Sequence, residues 1–176
     1  MIFRELRLKG AYLIESEPWE DERGFFARSF CAKTFEKFNL WTRFVQNSIS
    51  LNKKKGTLRG MHYQTAPHEE VKLVSCFQGA VYDVIIDLRP NSTTFQQWLA
   101  LELNASDWKT LYVPQGFAHG FQTLEDNSLL LYQISEFYYP QFSRGIYYGD
   151  PRFTIRWPLP VTSISRKDQH LKLFVE

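Results

Sequence analysis

An arginine and a histidine lie three positions apart in the run GTLRGMHYQ, residues 56–64. The run is otherwise apolar and β-favouring, so it predicts a strand whose side chains alternate between two faces. Strict alternation would put Arg59 and His62 on opposite faces. Gly60 lies between them, and a glycine inside a strand often marks a bulge or a close backbone approach. A bend at this glycine would let a cation and a general base share one site.

Four more polar residues are embedded in apolar runs, namely Lys72, Asp83, His119 and Tyr132. Each has a structural explanation, such as a hydrogen-bonded histidine, a lysine on a solvated face or a core tyrosine. Together with the first pair they supply a base, a cation and a phenol. A β-barrel brings inward-facing residues from many strands into one cavity, so a shared site is the functional alternative.

Short apolar runs separated by turn residues fill most of the chain. Examples are GAYLIES at 10–16, VKLVSCF, GAVYDVIIDL, FQQWLALEL and TLYVPQG. Such runs, about ten residues apart, predict antiparallel strands in a sandwich or barrel. Helical patterns are limited to residues 32–40 and a turn after Ser165, in a tail expected to be irregular. We therefore expect one all-β domain over residues 1–176, with a few short helices.

Composition argues against several classes of protein. The 21 Lys and Arg against 19 Asp and Glu leave a net charge of +2, spread along the chain, so no nucleic-acid surface is indicated. No stretch approaches the roughly 20 apolar residues of a membrane span, and the N-terminus lacks a secretory signal. Cys31 and Cys76 form no CxxC pair. A cytoplasmic protein with reduced thiols is expected, with Cys76 in the core.

A metal site is a competing interpretation of the histidines. Barrels of this kind often bind a metal through two histidines one residue apart, a carboxylate and a later histidine. Here the residue two positions after His62 is a glutamine. A triad of His62, His119 and either Glu69 or Glu70 is the remaining metal alternative.

Two loops carry candidate anion-binding groups. In DERGFF, residues 21–26, an arginine precedes two aromatic rings, which suits a phosphate and a stacked base. On this stretch alone, a turn followed by a core strand is the preferred explanation. The lysine triplet 53–55, followed by glycine, predicts a solvated hairpin or connection.

Motifs in order along nearly the whole chain resemble one known family. They are DERGFF (21–26), FVQ (44–46), KKKGTLRGMHYQ (53–64), KLV (72–74), GAVYDVIIDLR (79–89), TFQQW (94–98), VPQGFAHGF (113–121), LYQ (131–133) and SRKD (165–168). They resemble the dTDP-4-dehydrorhamnose 3,5-epimerase (RmlC) family. The resemblance implies a cupin-type jelly-roll barrel, free of metal and cofactor, acting as a homodimer on a nucleotide-linked 4-keto-6-deoxy sugar.

The resemblance also implies roles for individual residues. His62 would be the general base, and Asp168 would hold it. Lys72 would face the 4-keto oxygen, and Tyr132 would be the acid on the opposite face of the ring. The expected substrate-binding residues are Arg23, Phe26, Gln46, Arg59, His119 and Tyr138. In the family, the segment carrying the first of these arginines reaches over from the partner subunit.

The implied chemistry is inversion of C3, C5 or both. Protons next to a ketone are weakly acidic because the carbanion delocalises as an enolate. A histidine, with an ordinary pKa of about 6.5, can remove one if a cation stabilises that enolate. Reprotonation from the other face inverts the centre, so base and acid must lie on opposite sides of the ring.

Two positions depart from the family pattern. Arg28 stands where a glutamate is usual, and Ser48 replaces the amide of a Gln-x-Asn pattern. Both lie near the expected nucleotide or substrate contacts, so the base, the exact sugar and the number of centres inverted stay open. The alternative functions are a metal-dependent cupin oxygenase and a non-catalytic sugar-nucleotide-binding cupin.

Overall fold

The computed structural model describes residues 1–175 and contains fourteen strands and two short helices. In chain order they are β1 (Ile2–Glu5), β2 (Tyr12–Glu15), β3 (Trp19–Asp21), β4 (Gly24–Phe26), α1 (Ala32–Glu36), β5 (Gln46–Asn52), β6 (Thr57–Gln64), β7 (Lys72–Gln78), β8 (Ala80–Asp87), β9 (Trp98–Asn104), β10 (Lys109–Val113), β11 (Phe117–Thr123), β12 (Ser128–Ile134), β13 (Ser143–Gly145), β14 (Ser163–Ile164) and α2 (Arg166–Gln169). The expected predominance of strands is confirmed.

Two large sheets form the body of the fold. The first has the order β1-β2-β10-β7-β12-β5, and the second has the order β13-β6-β11-β8-β9, with β14 also paired to β6. All pairs are antiparallel except β14 with β6. Side chains of both sheets meet in one core, including Val74, Leu111, Leu130, Val81, Ile85 and Phe121. This is the all-β, jelly-roll architecture predicted from the sequence.

The ends of several elements differ from the sequence-based expectation. A strand, β1, precedes the predicted first strand at residues 10–16, and the tail contributes the short strands β13 and β14. Helix α1 ends at Glu36 rather than near residue 40. Asn39 adopts a left-handed backbone with φ of 55°, which is incompatible with a continuing helix. The predicted helical turn after Ser165 is present as α2.

The stretch DERGFF was expected to run from a turn into a core strand, and this expectation is wrong. Strands β3 and β4 form a hairpin in which every strand residue is exposed. Phe25 packs against Trp108, with ring centroids 4.4 Å apart. The hairpin therefore projects from the sheets, and its aromatic residues are not part of the core.

The structure can also be compared with the predictions made for the lysine triplet, the cysteines and membrane-spanning segments. Residues 53–55 connect β5 in the first sheet to β6 in the second, so they form a connection and not a hairpin. Cys76 is buried at 4% exposure, as predicted, and both cysteines are free thiols. Within residues 1–175, none of the helices has the length and apolar character needed to cross a membrane.

Candidate active site

A cavity of about 310 Å³ lies between the two sheets, a size suited to a small ligand. Six of the predicted site residues line it, namely Arg59, His62, Lys72, His119, Tyr132 and Tyr138. The second sheet contributes the two histidines, through β6 and β11. The first sheet contributes the lysine and Tyr132, through β7 and β12. Polar groups from two facing sheets therefore line one cavity.

A bulge in β6 allows Arg59 and His62 to face the same cavity. On β11, His119 lies opposite His62 and Phe121 lies opposite Arg59, so β6 has one extra residue between these pairs. Gly60 has φ of +120°, and a Cβ there would come 2.5 Å from the Cα of Gly120. Only glycine fits where the two backbones approach so closely, which confirms the bend suggested by the sequence.

His62 is paired with Asp168, as the resemblance implied. The Nε2 of His62 lies 2.7 Å from Oδ1 of Asp168, and the exposed fractions of the two side chains are 40% and 5%. Burial acts to raise the pKa of Asp168, but hydrogen bonds with His62, Gly60 and Ser165 outweigh it and hold this pKa below the ordinary value. A carboxylate only accepts hydrogen bonds, so Nε2 carries a proton and neutral His62 keeps its lone pair on Nδ1.

The chain brings Asp168 to this place from far along the sequence. Strand β14 pairs in parallel with the start of β6, which places α2 beside the bulge. Ser165 caps α2 and accepts a hydrogen bond from the backbone N–H of Asp168 at 3.0 Å. The backbone N–H of Gly60 donates to Oδ2 of Asp168 at 3.4 Å. The carboxylate is thus positioned by both the helix cap and the bulged strand.

A second histidine–aspartate pair lies deeper in the same site. The Nε2 of His119 is 2.9 Å from Oδ1 and 3.1 Å from Oδ2 of Asp83, and these side chains are only 5% and 0% exposed. The ring of His119 meets Tyr132 edge-on, at 5.8 Å between centroids. Burial raises the pKa of Tyr132 well above its ordinary value, Asp83 raises it further and Arg59 opposes both effects. The phenol therefore stays protonated at neutral pH.

Lys72 is buried at 7% exposure, so the interpretation of a solvated lysine is wrong. Its Nζ lies 2.9 Å from Oε1 of Glu70 and donates to the backbone oxygen of His62 at 3.3 Å. A buried ammonium is costly unless a counter-charge and hydrogen bonds compensate it. From the sequence, Glu70 was a candidate metal ligand only, and its pairing with Lys72 was not predicted.

Arg59 is held by Asn52, which is not among the predicted site residues. Its Nε donates to Oδ1 of Asn52 at 2.7 Å, and Asn52 is 2% exposed. Within residues 1–175, the terminal guanidinium nitrogens of Arg59 have no hydrogen-bond partner. They could bind an anion in bidentate fashion. An asparagine at the end of a strand carries no sequence signal for this supporting contact.

Three predicted substrate-binding residues lie outside this cavity. The side chain of Arg23 is 84% exposed and pairs with Asp21 on the hairpin, and Phe26 is 74% exposed. Gln46 accepts a hydrogen bond from the backbone N–H of Tyr138 at 2.7 Å. Gln46 thus supports the segment of Tyr138, which does line the cavity.

The metal alternative, a triad of His62, His119 and a glutamate, does not agree with how these side chains are paired. His62 and His119 are each paired with their own aspartate, and Glu70 is paired with Lys72. In the described part of the chain, no group of three or more His, Cys, Asp or Glu residues is arranged to hold a metal ion.

Comparisons with known proteins agree along nearly the whole chain. A sequence model described as dTDP-4-dehydrorhamnose 3,5-epimerase matches residues 5–176. The enzyme of that name from Methanothermobacter thermautotrophicus is 38% identical over 173 residues, covering 97% of this chain and 92% of the relative.

Two crystal structures are similar in both fold and sequence. The Bacillus anthracis dTDP-4-dehydrorhamnose 3,5-epimerase, with TDP and PPi bound, has a TM-score of 0.95 and 38% identity, covering 98% of this chain and 99% of that one. The Legionella pneumophila dTDP-6-deoxy-D-glucose-3,5-epimerase, in complex with dTDP-4-keto-L-rhamnose, has a TM-score of 0.91 and 38% identity, with 98% and 92% covered. The chain belongs to the dTDP-4-dehydrorhamnose 3,5-epimerase family.

Proposed function

We propose that the protein is an epimerase that inverts C3, C5 or both in a nucleotide-diphospho-4-keto-6-deoxy sugar. One observation carries the proposal: a histidine held by an aspartate and a protonated tyrosine line one cavity from opposite sheets. His62 belongs to the second sheet, and Tyr132 belongs to the first. A sugar ring between them has a base on one face and an acid on the other, which is what inversion next to a ketone requires.

The reaction begins with proton removal by His62. Its Nδ1 accepts the proton from the carbon beside the ketone, while Asp168 stabilises the imidazolium that forms. The Lys72 ammonium stabilises the negative charge that develops on the ketone oxygen. Tyr132 then donates its proton to the opposite face of the enolate. Its raised pKa keeps the phenol protonated before transfer, and Arg59, which opposes the rise, favours the phenolate that remains after donation.

The nucleotide end of the substrate is assigned to the Arg59 end of the cavity. Its free guanidinium nitrogens suit the diphosphate. The two crystal structures support a dTDP-linked substrate, since one contains TDP and PPi and the other contains dTDP-4-keto-L-rhamnose. Phe26 and Gln46 are proposed to lie near the nucleotide, and Tyr138 and His119 near the sugar.

We further propose that the active form is a homodimer in which the β3–β4 hairpin reaches the partner's cavity. The hairpin exposes Arg23 and Phe26, and strands of the first sheet expose apolar side chains that a partner would cover. These side chains are Ile49, Leu51 and Phe77. We also propose the cytoplasmic location that the sequence predicts.

Hybrid dimers test this arrangement. We expect Arg23→Ala and His62→Asn to be inactive alone but to regain activity when co-expressed, because one site of the hybrid has both intact residues. A mixture as inactive as the separate variants, with dimers verified by light scattering, would contradict the shared site.

Solvent exchange tests the proposed reaction. The protein is incubated in D2O with dTDP-4-keto-6-deoxyglucose and EDTA, and deuterium at C3 and C5 is followed by NMR. We expect incorporation that EDTA does not reduce. No incorporation with any nucleotide-linked 4-keto sugar would overturn the epimerase assignment, and loss of activity with EDTA would favour the metal-dependent alternative.

A further inference from the structure

The carboxylate of Glu70 has no role in the reaction described above, although it lines the same cavity. It lies at the end of the loop before β7, and its side chain is 12% exposed. One oxygen, Oε1, faces the Lys72 ammonium at 2.9 Å. For the other oxygen, residues 1–175 provide no hydrogen-bond partner. A ligand in the cavity can therefore reach an acceptor that the protein leaves unused.

Glu70 and Lys72 together present an acceptor beside a donor. A carboxylate only accepts hydrogen bonds, and an ammonium only donates them. A ketone flanked by a hydroxyl has the complementary pattern, since the ketone oxygen accepts and the hydroxyl donates. The two oxygens of such a hydroxyketone lie side by side, as do the ammonium and the carboxylate, whose closest atoms are 2.9 Å apart. The pair thus matches a hydroxyketone better than an isolated ketone.

We propose that Glu70 is a specificity-determining residue, which accepts a hydrogen bond from the hydroxyl on the carbon next to the ketone. The inference rests on the proposed function, in which Lys72 binds the ketone oxygen at C4. The hydroxyl that donates to Glu70 is then the hydroxyl on C3. The substrate class is narrowed to 4-keto sugars that retain the 3-hydroxyl.

The charge of Glu70 also orients the substrate. A carboxylate repels phosphate oxygens, so the diphosphate is directed away from this end and towards Arg59. A sugar without the 3-hydroxyl leaves the carboxylate oxygen desolvated and unpaired. Hydrogen bonds to charged groups contribute about 1.5–3 kcal/mol, so the loss corresponds to about 10- to 100-fold in kcat/KM.

The test compares two substrates and three variants. Deuterium incorporation next to the ketone is measured for dTDP-4-keto-6-deoxyglucose and for its 3-deoxy analogue, since both retain exchangeable protons at C3 and C5. We expect wild-type protein to prefer the first substrate by about 10- to 100-fold in kcat/KM. Glu70→Ala should reduce this preference to about 3-fold or less, and Glu70→Gln, which keeps a neutral acceptor, should be intermediate.

A matched control uses the adjacent Glu69, which has the same side chain but does not line the cavity. Glu69→Ala should retain the wild-type preference. If Glu70→Ala slows both substrates equally and the preference persists, Glu70 only holds Lys72 and the specificity role is wrong. If wild-type protein exchanges neither compound nor any other nucleotide-linked 4-keto sugar, the proposed function itself fails, which is a different result from a persistent preference.

Discussion

The two histidine–aspartate pairs of the cavity have the same composition but different surroundings. His62 and His119 lie opposite each other on neighbouring strands, and each contacts a carboxylate within 3 Å. The side chain of His62 is 40% exposed, whereas that of His119 is 5% exposed. Asp168 comes from the C-terminal helix, and Asp83 comes from the adjacent strand β8. The same chemical pair is therefore placed once at the cavity surface and once inside the fold.

The difference shows how burial separates proton transfer from support. A histidine that exchanges a proton with a ligand needs an accessible ring nitrogen, which His62 has. His119 lines the cavity but is held between Asp83 and the Tyr132 ring, so beyond its place near the sugar it sets the position and environment of the phenol. We therefore infer that His62 performs chemistry and that the buried pair positions Tyr132 and stabilises the second sheet.

Replacing each histidine by asparagine should give the largest contrast. Asparagine keeps an N–H donor for the aspartate but removes the base. We expect His62→Asn to lower kcat by about 10²- to 10⁴-fold with little change in stability. His119→Asn should lower kcat by about 10-fold and the free energy of unfolding by about 1–3 kcal/mol, because buried Asp83 loses its partner geometry.

Steady-state kinetics and urea denaturation measure the two effects. A larger rate loss for His119→Asn than for His62→Asn would reverse the roles assigned to the two pairs. A rate loss for His62→Asn that is accompanied by unfolding would remove the support for a direct role in proton transfer.

The polar residues of the site could be found from the sequence where they interrupt apolar runs. Lys72, Asp83 and Tyr132 were identified in this way, because a polar group in a buried strand needs a partner. From the sequence, Arg59 could lie on the opposite face of the strand from His62 or, with a bend at Gly60, on the same side. The bulge depends on a contact with Gly120, which is distant in the sequence.

Other features of the molecule could not be predicted from the local sequence. The run HEEVKLV contains adjacent glutamates that precede β7, where strand alternation is not a reliable guide to which of them faces the lysine. The stretch DERGFF, residues 21–26, was expected to continue into a core strand, since composition does not separate a buried phenylalanine from an exposed one. The antiparallel all-β fold was predictable because short apolar runs and turns recur along most of the chain, and the jelly roll was implied by the family resemblance.

Lowering the pH should reduce the stability that Asp168 contributes. This smaller effect is a second property that distinguishes the His62–Asp168 pair. The folded-state pKa of Asp168 is below its unfolded value of about 3.9. Its ionised form therefore contributes stability that is complete above the unfolded value and is lost as the pH falls through the lower folded value. Asp168→Asn lacks this contribution at every pH.

We expect the difference in unfolding free energy between wild-type protein and Asp168→Asn to be constant near neutral pH and to shrink below about pH 4. Urea denaturation across this range measures it. A difference that grows as the pH falls would contradict the assigned direction of the pKa shift.

The central claim is that base and acid act on opposite faces of one sugar ring, and Tyr132→Phe tests it most directly. This variant retains His62, Asp168 and Lys72 but cannot donate the second proton. In D2O with dTDP-4-keto-6-deoxyglucose, we expect it to incorporate deuterium into recovered substrate with its configuration retained, while inversion falls by about 10²-fold or more. Inversion at the wild-type rate in Tyr132→Phe would contradict the account.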